Sequence, residues 1–413
     1  MRGSGGPRPS GYAARVGRRD VTNLPQSAEV IVVGGGIVGL SVALALAETG
    51  AKPLLLEAKS FGGAVTGGSL AAIGTHMHGL AEYEIMAHAC DLWRAFADRT
   101  GNPFEHNPQG QVGFILDSEG MQSGEGWVNE ERALGALCRM LTPAELAEVE
   151  PNLTGPVLGA TYAPDTATVN PFLATRTVLA EARGAGAVAL DHAPVANLLV
   201  EAGRIAGVRM EDGTQIHATQ VVLASGPWSH EISMRAGIAL PLVPRQAQCL
   251  ATLRQPRDTI RRVVSAVESR GGVASGYTQI QQAASGQILF NTVVDFIEAP
   301  RGAKDTVREV PSGFVLSSID TLGMLFPSLS EVPLLRSWVR FEAVSPDARF
   351  LAGPLPCEGL WVCAGDNGSG FCRALMLGRF LAGEITGTSV LDADLQADAR
   401  SLYAPSRHVE ATA

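Results

Sequence analysis

The sequence predicts an α/β protein in which a Rossmann-like nucleotide-binding domain is interleaved with a mostly antiparallel α+β domain. Three observations lead to this class. Residues 30–57 contain a β-branched apolar run, spaced glycines, a helix-forming stretch and a second apolar run that ends on an acid. Similar apolar runs return at residues 220–224 and 360–364. Between residues 240 and 345, several alternating or apolar runs are typical of an antiparallel sheet.

The first stretch has the order and spacing of a dinucleotide-binding fingerprint. Gly34, Gly36 and Gly39 follow the first apolar run with G-x-G-x-x-G spacing, and Glu57 follows the second. Gly34 would allow a sharp turn, Gly36 would let the backbone approach a pyrophosphate, and Gly39 would let the helix lie close to the sheet. Glu57 could accept the hydroxyl protons of an adenosine ribose.

Composition excludes other classes. A net charge of -9 argues against nucleic acid as a partner. The six cysteines show no C-x-x-C pair and no zinc or iron–sulfur spacing, so the sequence predicts no metal site. The residues between Glu29 and Glu48 carry no charge, but the glycines and the preceding strand argue against a transmembrane helix.

The N-terminal residues predict a disordered tail. They are rich in Gly, Pro, Arg and Ser, and no apolar segment follows Arg18 and Arg19, as a twin-arginine signal would require. We therefore expect a cytoplasmic protein, with a transit peptide as the open alternative.

Further elements follow from periodicity and capping signals. A glycine-rich loop at residues 58–74 is expected to wrap the ligand. Thr142 and Glu145 form a capping box for a short helix. Helices are predicted at residues 80–100, 128–141, 171–183 and 373–387, and strands at residues 111–116, 191–200, 204–210, 215–218, 248–253, 286–294 and 335–341.

These elements predict discontinuous domains. The nucleotide-binding domain is expected at residues 28–80, 150–235 and 346–400, and the second domain at residues 81–149 and 236–345. Residues 1–27 and 401–413 are expected to be tails.

Three segments then carry a resemblance to a known family. The fingerprint, VVLASGPWS at residues 221–229 and WVCAGDNGSGF at residues 361–371 together resemble the D-amino acid oxidase superfamily of FAD enzymes, over residues 28–387. Within it the chain looks most like the flavoprotein subunits of heteromeric sarcosine, opine and hydroxyproline dehydrogenases, where a cysteine often follows the Gly-Phe, as Cys372 does here.

The resemblance implies FAD as the cofactor. It places residues 34–38 at the pyrophosphate, Glu57 at the ribose, Val195 at adenine, residues 66–69 near the ribityl chain and the flavin, and residues 368–371 at the flavin pyrimidine edge. The implied cofactor-binding residues are Gly34, Gly36, Ile37, Val38, Gly39, Glu57, Ala58, Thr66, Gly67, Gly68, Ser69, Val195, Ala224, Gly226, Trp228, Gly365, Asp366, Gly368, Ser369, Gly370 and Phe371. Amide donors in the last turn would stabilise the negative charge of a reduced flavin.

The substrate residues depart from the family pattern. Glu342 stands where the family has an arginine that binds the substrate carboxylate, and Arg340 stands two residues earlier on the same strand face. Arg340 is therefore either a carboxylate ligand or part of a structural ion pair with Glu342 or another acid. His76 and His78 could act as a base, bind substrate, ligate a metal or have a structural role.

The reaction implied is oxidation of the C–N bond of a small amino or imino acid, with hydride transfer to flavin N5. The resemblance favours a partner subunit or a quinone as the electron acceptor. An oxygen-using oxidase of the same fold is the first alternative. A non-catalytic electron-relay or assembly subunit is the second, and a monooxygenase is disfavoured because no second nucleotide fingerprint is present.

Overall fold

The computed structural model describes residues 24–267, 278–291, 297–298 and 309–409. Its strands are β1 (Val30–Val33), β2 (Pro53–Leu56), β3 (Ala72–Ile73), β4 (Asn107–Pro108), β5 (Gln111–Ile115), β6 (Arg139–Leu141), β7 (Gly159–Ala163), β8 (Ala167–Thr168), β9 (Val188–Leu190), β10 (Val195–Glu201), β11 (Arg204–Met210), β12 (Gln215–His217), β13 (Gln220–Leu223), β14 (Val243–Thr252), β15 (Val263–Ala266), β16 (Gln279–Gln282), β17 (Ile288–Asn291), β18 (Ile297–Glu298), β19 (Leu334–Val344), β20 (Leu351–Pro354) and β21 (Leu360–Ala364).

The helices lie between these strands and after them. They are α1 (Ile37–Glu48), α2 (Tyr83–Thr100), α3 (Ser118–Ala133), α4 (Pro143–Val149), α5 (Pro171–Gly184), α6 (Ser229–Met234), α7 (Ser312–Leu325), α8 (Gly370–Thr386) and α9 (Ala393–Tyr403). No helix in the described part of the chain combines the length and the apolar character needed to cross a membrane.

The nucleotide-binding sheet has six strands in the order β20, β21, β13, β1, β2, β9. All pairs are parallel except that of β20 with β21. Val33 lies opposite both Leu56 and Leu223, so the carboxyl ends of β1, β2 and β13 reach the same edge. The predicted parallel strands at residues 220–224 and 360–364 are confirmed as β13 and β21.

Helices cover one face of this sheet. Residues of α1, α2, α5 and α8 share one hydrophobic core with β1 and β2, whereas the small β10–β11–β12 sheet packs on the other face. A Cβ at Gly378 would lie 2.4 Å from the carbonyl oxygen of Ser41, so α8 and α1 pack with their backbones in close approach. This contact fixes α8 against α1.

The second sheet is larger and mostly antiparallel. It runs in the order β18, β14, β17, β16, β15, β5, β7, β6, with β19 paired to β14, and only β5 and β15 are parallel neighbours. α7 packs its buried residues, among them Leu322 and Leu325, against this sheet. The predicted antiparallel second domain is thus confirmed, although residues 292–294 of one predicted strand lie outside the described ranges.

One predicted helix was wrong in its position. Residues 128–141 were expected to be helical, but α3 begins ten residues earlier, where the Asp117 side chain accepts the amide proton of Gly120. Gly135, at φ +94°, follows the end of the helix, and residues 139–141 form β6. The glycines inside α3 concealed its apolar periodicity.

Two other boundaries differ. The strand expected at residues 191–200 begins four residues later, as β10, and β9, which joins the nucleotide-binding sheet just before it, was not predicted. The helix expected from about Arg373 is α8, which begins at Gly370.

The two domains interleave more finely than the sequence indicated. β7, at residues 159–163, pairs with β5 in the larger sheet, and α2 contributes Trp93 to the core beside α8. Residues 401–409 do not form a tail, since Tyr403 is fully buried and Arg407 pairs with Asp347 at 3.0 Å. Of the N-terminal tail only residues 24–27 are described. The exact division into domains stays a prediction.

Candidate active site

Four turns meet at the carboxyl edge of the parallel sheet. They begin with Gly34 after β1, Glu57 after β2, Ala224 after β13 and Gly365 after β21. Backbone hydrogen bonds align the first three, from Gly34 N to Leu56 O at 2.9 Å and from Ala224 N to Val33 O at 2.8 Å. In open parallel sheets this edge is where nucleotides bind.

The first glycine turn packs closely against neighbouring backbone, so side chains at Gly34 and Gly39 would clash. Gly34 has φ +112°, and a Cβ there would lie 2.5 Å from the carbonyl oxygen of Ala224. A Cβ at Gly39 would lie 2.0 Å from the carbonyl oxygen of Gly34. Gly36 is the N-cap of α1 and makes no side-chain capping bond. Because Gly36 carries no side chain, it leaves the space in front of the N-terminus of α1 open to a phosphate.

Two side chains border this space. Thr66 accepts the amide proton of Ile37 with Oγ1 at 3.0 Å. Glu57 accepts the amide protons of Gly35, at 2.7 Å, and of Lys59, at 2.8 Å, one on each carboxylate oxygen. Because a carboxylate has about four lone-pair sites, each oxygen of Glu57 retains one for a ribose hydroxyl.

The turn after β21 approaches the same edge from the other end of the chain. Gly365 and Gly368 have φ values of +89° and +85°, which favour glycine. The turn leads into the N-terminus of α8, where Trp93 stacks on the ring of Phe371 at 5.4 Å. The Trp93 indole also donates to the carbonyl oxygens of Phe371 and Cys372, at 3.2 and 3.1 Å. The start of α8 is therefore rigidly placed.

The second domain contacts this turn through β19. The carboxylate of Asp366 accepts the amide proton of Ala343 at 3.0 Å. Burial and the charge of Glu342 raise the pKa of Asp366 to about 6. Trp338 donates from its indole nitrogen to the carbonyl oxygen of Gly68 at 3.0 Å. The loop after β2 and the turn after β21 are thus both joined to the same strand.

A charged cluster lies between these two contacts. Glu342 accepts a hydrogen bond from Arg245 Nη2 at 2.8 Å and pairs with Arg340 Nη2 at 3.3 Å. Arg340 also donates to the carbonyl oxygen of Gly68 and, at 2.7 Å, to the sulfur of Cys249. Burial by itself would lower the pKa of Arg340, but Cys249 and Glu342 raise it above its ordinary range. Of the two roles open to Arg340, the structure contains the ion pair.

The two histidines face different surroundings. His76 is buried, and its ring nitrogens lie 2.6 Å from Glu131 Oε2 and 2.7 Å from Thr161 Oγ1. Desolvation, followed by the charge of Arg373, lowers the pKa of His78 to about 4, so its ring is neutral near pH 7. None of these contacts connects His76 or His78 to the Arg340–Glu342 cluster.

The structure brings most of the predicted cofactor residues to one edge. Ala58, Gly67 and Ser69 lie in the loop after Glu57, and Gly226 and Trp228 in the turn after β13. The start of the Val195 strand is also near, since the amide of Ala193 donates to Glu57 O at 2.8 Å. The remaining predicted residues lie in the first glycine turn or in the last one, namely Ile37, Val38, Ser369 and Gly370.

Sequence reasoning missed the residues that contact His76 and Glu342. Glu131 and Thr161 come to His76 from positions 55 and 85 residues away. Arg245 lies directly opposite Glu342 in the β14–β19 register. A signal for this last pair did exist, because each strand carries charged residues within an otherwise largely apolar run.

Three comparisons with known proteins bear on this site. A regulatory subunit of pyruvate dehydrogenase phosphatase from Mus musculus is 25% identical over 87% of this chain and 41% of that protein. Glycine oxidase from Bacillus licheniformis is 24% identical over 88% of this chain and 94% of that protein. The crystal structure of L-proline dehydrogenase from P. horikoshii, 25% identical, superimposes with a TM-score of 0.82 over 92% of this chain and 98% of that one.

The chain spans about half the length of several of the curated relatives that it matches. A sequence model described as FAD dependent oxidoreductase matches residues 29–384, which is most of the chain and includes both glycine turns. The side-chain-free turn at Gly34 and Gly36 and the available lone pairs of Glu57 fit the adenosine diphosphate half of FAD. The chain therefore belongs to the FAD-dependent oxidoreductase family of the D-amino acid oxidase type, and FAD is its cofactor.

Proposed function

We propose that the protein oxidises the C–N bond of a small amino or imino acid. The observation that carries the proposal is the meeting of Gly68, Gly368 and the Arg340–Glu342 cluster at the edge where FAD binds. A Cβ at Gly68 would lie 3.2 Å from Arg340 Cδ, and one at Gly368 would lie 3.3 Å from Glu342 Oε2. When bound, FAD supplies the hydride acceptor.

The residues of the chain would bind and orient the substrate. Two guanidinium groups, of Arg245 and Arg340, face the single carboxylate of Glu342. Asp366 also lies close enough to Arg340 to interact with its charge, and a substrate carboxylate would share the Arg340 guanidinium with Glu342. Holding the substrate in the reactive orientation, in a site with little water, would supply much of the rate acceleration. A strong base would not be needed if the substrate amine is neutral.

The names of the relatives support this class of substrate. One relative is a glycine oxidase, and one structural neighbour is an L-proline dehydrogenase. Both names describe oxidation of a small amino or imino acid. The proposal extends that chemistry to this chain without choosing between the two substrates.

Anaerobic mixing of the flavin-loaded protein with a panel of substrates tests the proposal. The panel contains D- and L-amino acids, N-methyl amino acids, prolines and opines, each paired with its carboxamide. We expect at least one acid to bleach the flavin band, and its carboxamide to do so at least tenfold more slowly, because the amide lacks the charge that Arg340 binds. Failure of every amine, with full bleaching by dithionite, would refute the proposal.

We further propose that electrons pass to a partner subunit or a quinone. One curated relative is named as a subunit of an assembly. With an active substrate, the isolated chain should reduce artificial dyes rapidly and form little peroxide. Rapid oxygen-coupled turnover would instead assign it to the oxidases.

A non-catalytic subunit is the second candidate. The name of the same relative, a regulatory subunit, favours it. This function predicts tight FAD binding without bleaching by any amine, so the substrate panel separates the two candidates.

A further inference from the structure

His76, Glu131 and Cys138 converge from three separate segments. His76 lies in the loop after β3, Glu131 in the last turn of α3, and Cys138 just before β6. The imidazole nitrogen, carboxylate oxygen and thiol sulfur that they offer all lie within 4.8 Å of one another. The three residues are 1%, 1% and 5% exposed. In the described part of the chain this is the one group of three such side chains.

We propose that these three residues bind a divalent metal ion of the zinc class. Nitrogen, oxygen and sulfur donors in one buried group suit a borderline-soft ion such as Zn²⁺. Bond lengths of about 2.0 to 2.3 Å place the ligand atoms of a tetrahedral site about 3.3 to 3.8 Å apart. His76 Nδ1 and Glu131 Oε2 lie 2.6 Å apart, so a shift of about 1 Å would admit the ion.

The surrounding hydrogen bonds orient the donors as in metal sites. His76 Nε2 lies 2.7 Å from the hydroxyl of Thr161, which fixes the ring and leaves Nδ1 directed at Glu131. The amide of Met77 donates to Glu131 Oε1 at 2.7 Å, which leaves Oε2 directed at His76. Metal-binding histidines and carboxylates commonly have such outer partners.

Charge balance also favours a cation. Glu131 is buried, and an ionised carboxylate needs a counter-charge. A divalent ion would be balanced by the carboxylate of Glu131 and the thiolate of Cys138, with His76 neutral. On binding, the Cys138 thiol would release its proton to solvent. Water could complete the coordination. The ion would join the loop after β3 to α3 and to the edge of the larger sheet.

Metal analysis of the flavin-loaded protein tests this site. The protein is purified without chelators, and its zinc content is measured by mass spectrometry. A zinc-depleted sample is then titrated with Co²⁺, whose tetrahedral complexes absorb in the red, away from the oxidised flavin. We expect one ion per chain, and a lower melting temperature after chelation.

Variants locate the ion. Cys138→Ser should bind Co²⁺ much more weakly and make the melting temperature insensitive to chelators. Cys357→Ser, a matched change at another buried cysteine, should behave as wild type. Thr161→Val should weaken binding by about 10- to 100-fold, as loss of an outer partner does. Should Cys138→Ser fail to fold, Glu131→Gln removes the anionic ligand and retains an oxygen for Met77.

The outcomes separate a metal site from a hydrogen-bonded network. Wild-type protein that carries no zinc and gives no red absorption with Co²⁺ would overturn the proposal, as would equal binding by wild type and by the ligand variants. The readouts require no turnover. Failure of this site therefore leaves the proposed reaction intact, and failure of the substrate panel leaves the metal result intact.

Discussion

Arg245 and Glu342 lie directly opposite each other in the antiparallel pair β14–β19, with Arg245 Nη2 2.8 Å from Glu342 Oε2. The Glu342 side chain is 6% exposed and also pairs with Arg340. Ion pairs of this kind cost desolvation energy, so they contribute little net stability as a whole. Removing one member of the cluster should nevertheless lower the free energy of unfolding, because the remaining charges stay buried.

Glu342→Gln should strongly destabilise the second domain. The variant removes the buried carboxylate that both Arg245 and Arg340 contact, and breaking a buried ion pair costs about 3 to 5 kcal/mol in the free energy of unfolding. Urea unfolding of the flavin-loaded protein measures this loss.

The matched control for that variant is Glu358→Gln. Glu358 forms an exposed ion pair with Arg204 at 2.7 Å, so its loss should change the free energy of unfolding by less than about 1 kcal/mol. If the two variants were equally stable, Glu342 would not be acting as the central counter-charge.

Glu57→Gln should weaken FAD binding and leave the fold intact. Glutamine can still accept the amide proton of Gly35, but its uncharged oxygen bonds ribose hydroxyls less strongly and its NH₂ cannot accept. We expect the dissociation constant of FAD to rise about tenfold or more. Titration of the apoprotein with FAD, followed by flavin fluorescence, measures the change; unaltered affinity would place the ribose elsewhere.

Glu150 should make stability depend on pH. Burial raises its pKa to about 7, although its carboxylate accepts the amide protons of Arg261 and Arg262 at 2.7 and 2.8 Å. The native state then binds a proton that the unfolded chain releases near pH 4.5. The stabilisation of the native state by protonated Glu150 is fully present below about pH 4.5 and is lost as the pH rises to about 7.

Glu150→Gln retains the carbonyl acceptor and cannot ionise, so its unfolding free energy should decline less than that of wild type across this pH window. Glu148→Gln, a change at an exposed neighbour on α4, should keep the wild-type profile. Parallel profiles for wild type and Glu150→Gln would show that Glu150 is not the group that titrates.

The nucleotide-binding half of the fold could be predicted because its signals are local. Gly34, Gly36, Gly39 and Glu57 lie within 24 consecutive residues, and each spacing follows from one turn or one close approach. β13 and β21 could also be found, since buried parallel strands are short apolar runs.

The polar contacts of the second domain could not be predicted, because they depend on register between distant segments. Arg340 was assigned two roles on spacing alone, and its ion pair with Glu342, together with the position of Arg245 on another strand, appeared only in the structure. His76 showed no ligand spacing in sequence, since Glu131 and Cys138 approach it only through the fold of α3 and β6. The mistaken helix at residues 128–141 hid that approach.

FAD titration of the Gly36→Ala apoprotein tests the central claim most directly. Gly36 lies at the N-terminus of α1 with φ -74°, so alanine is compatible with its backbone, and the added Cβ would lie 3.1 Å from Thr66 Oγ1, in the space assigned to the pyrophosphate. The control is Gly184→Ala, where nothing lies within 4 Å. We predict that wild type and Gly184→Ala each bind one FAD per chain, and that Gly36→Ala folds but binds FAD at least tenfold more weakly. A folded wild-type protein that takes up no FAD, or equal affinity in the two variants, would contradict the account.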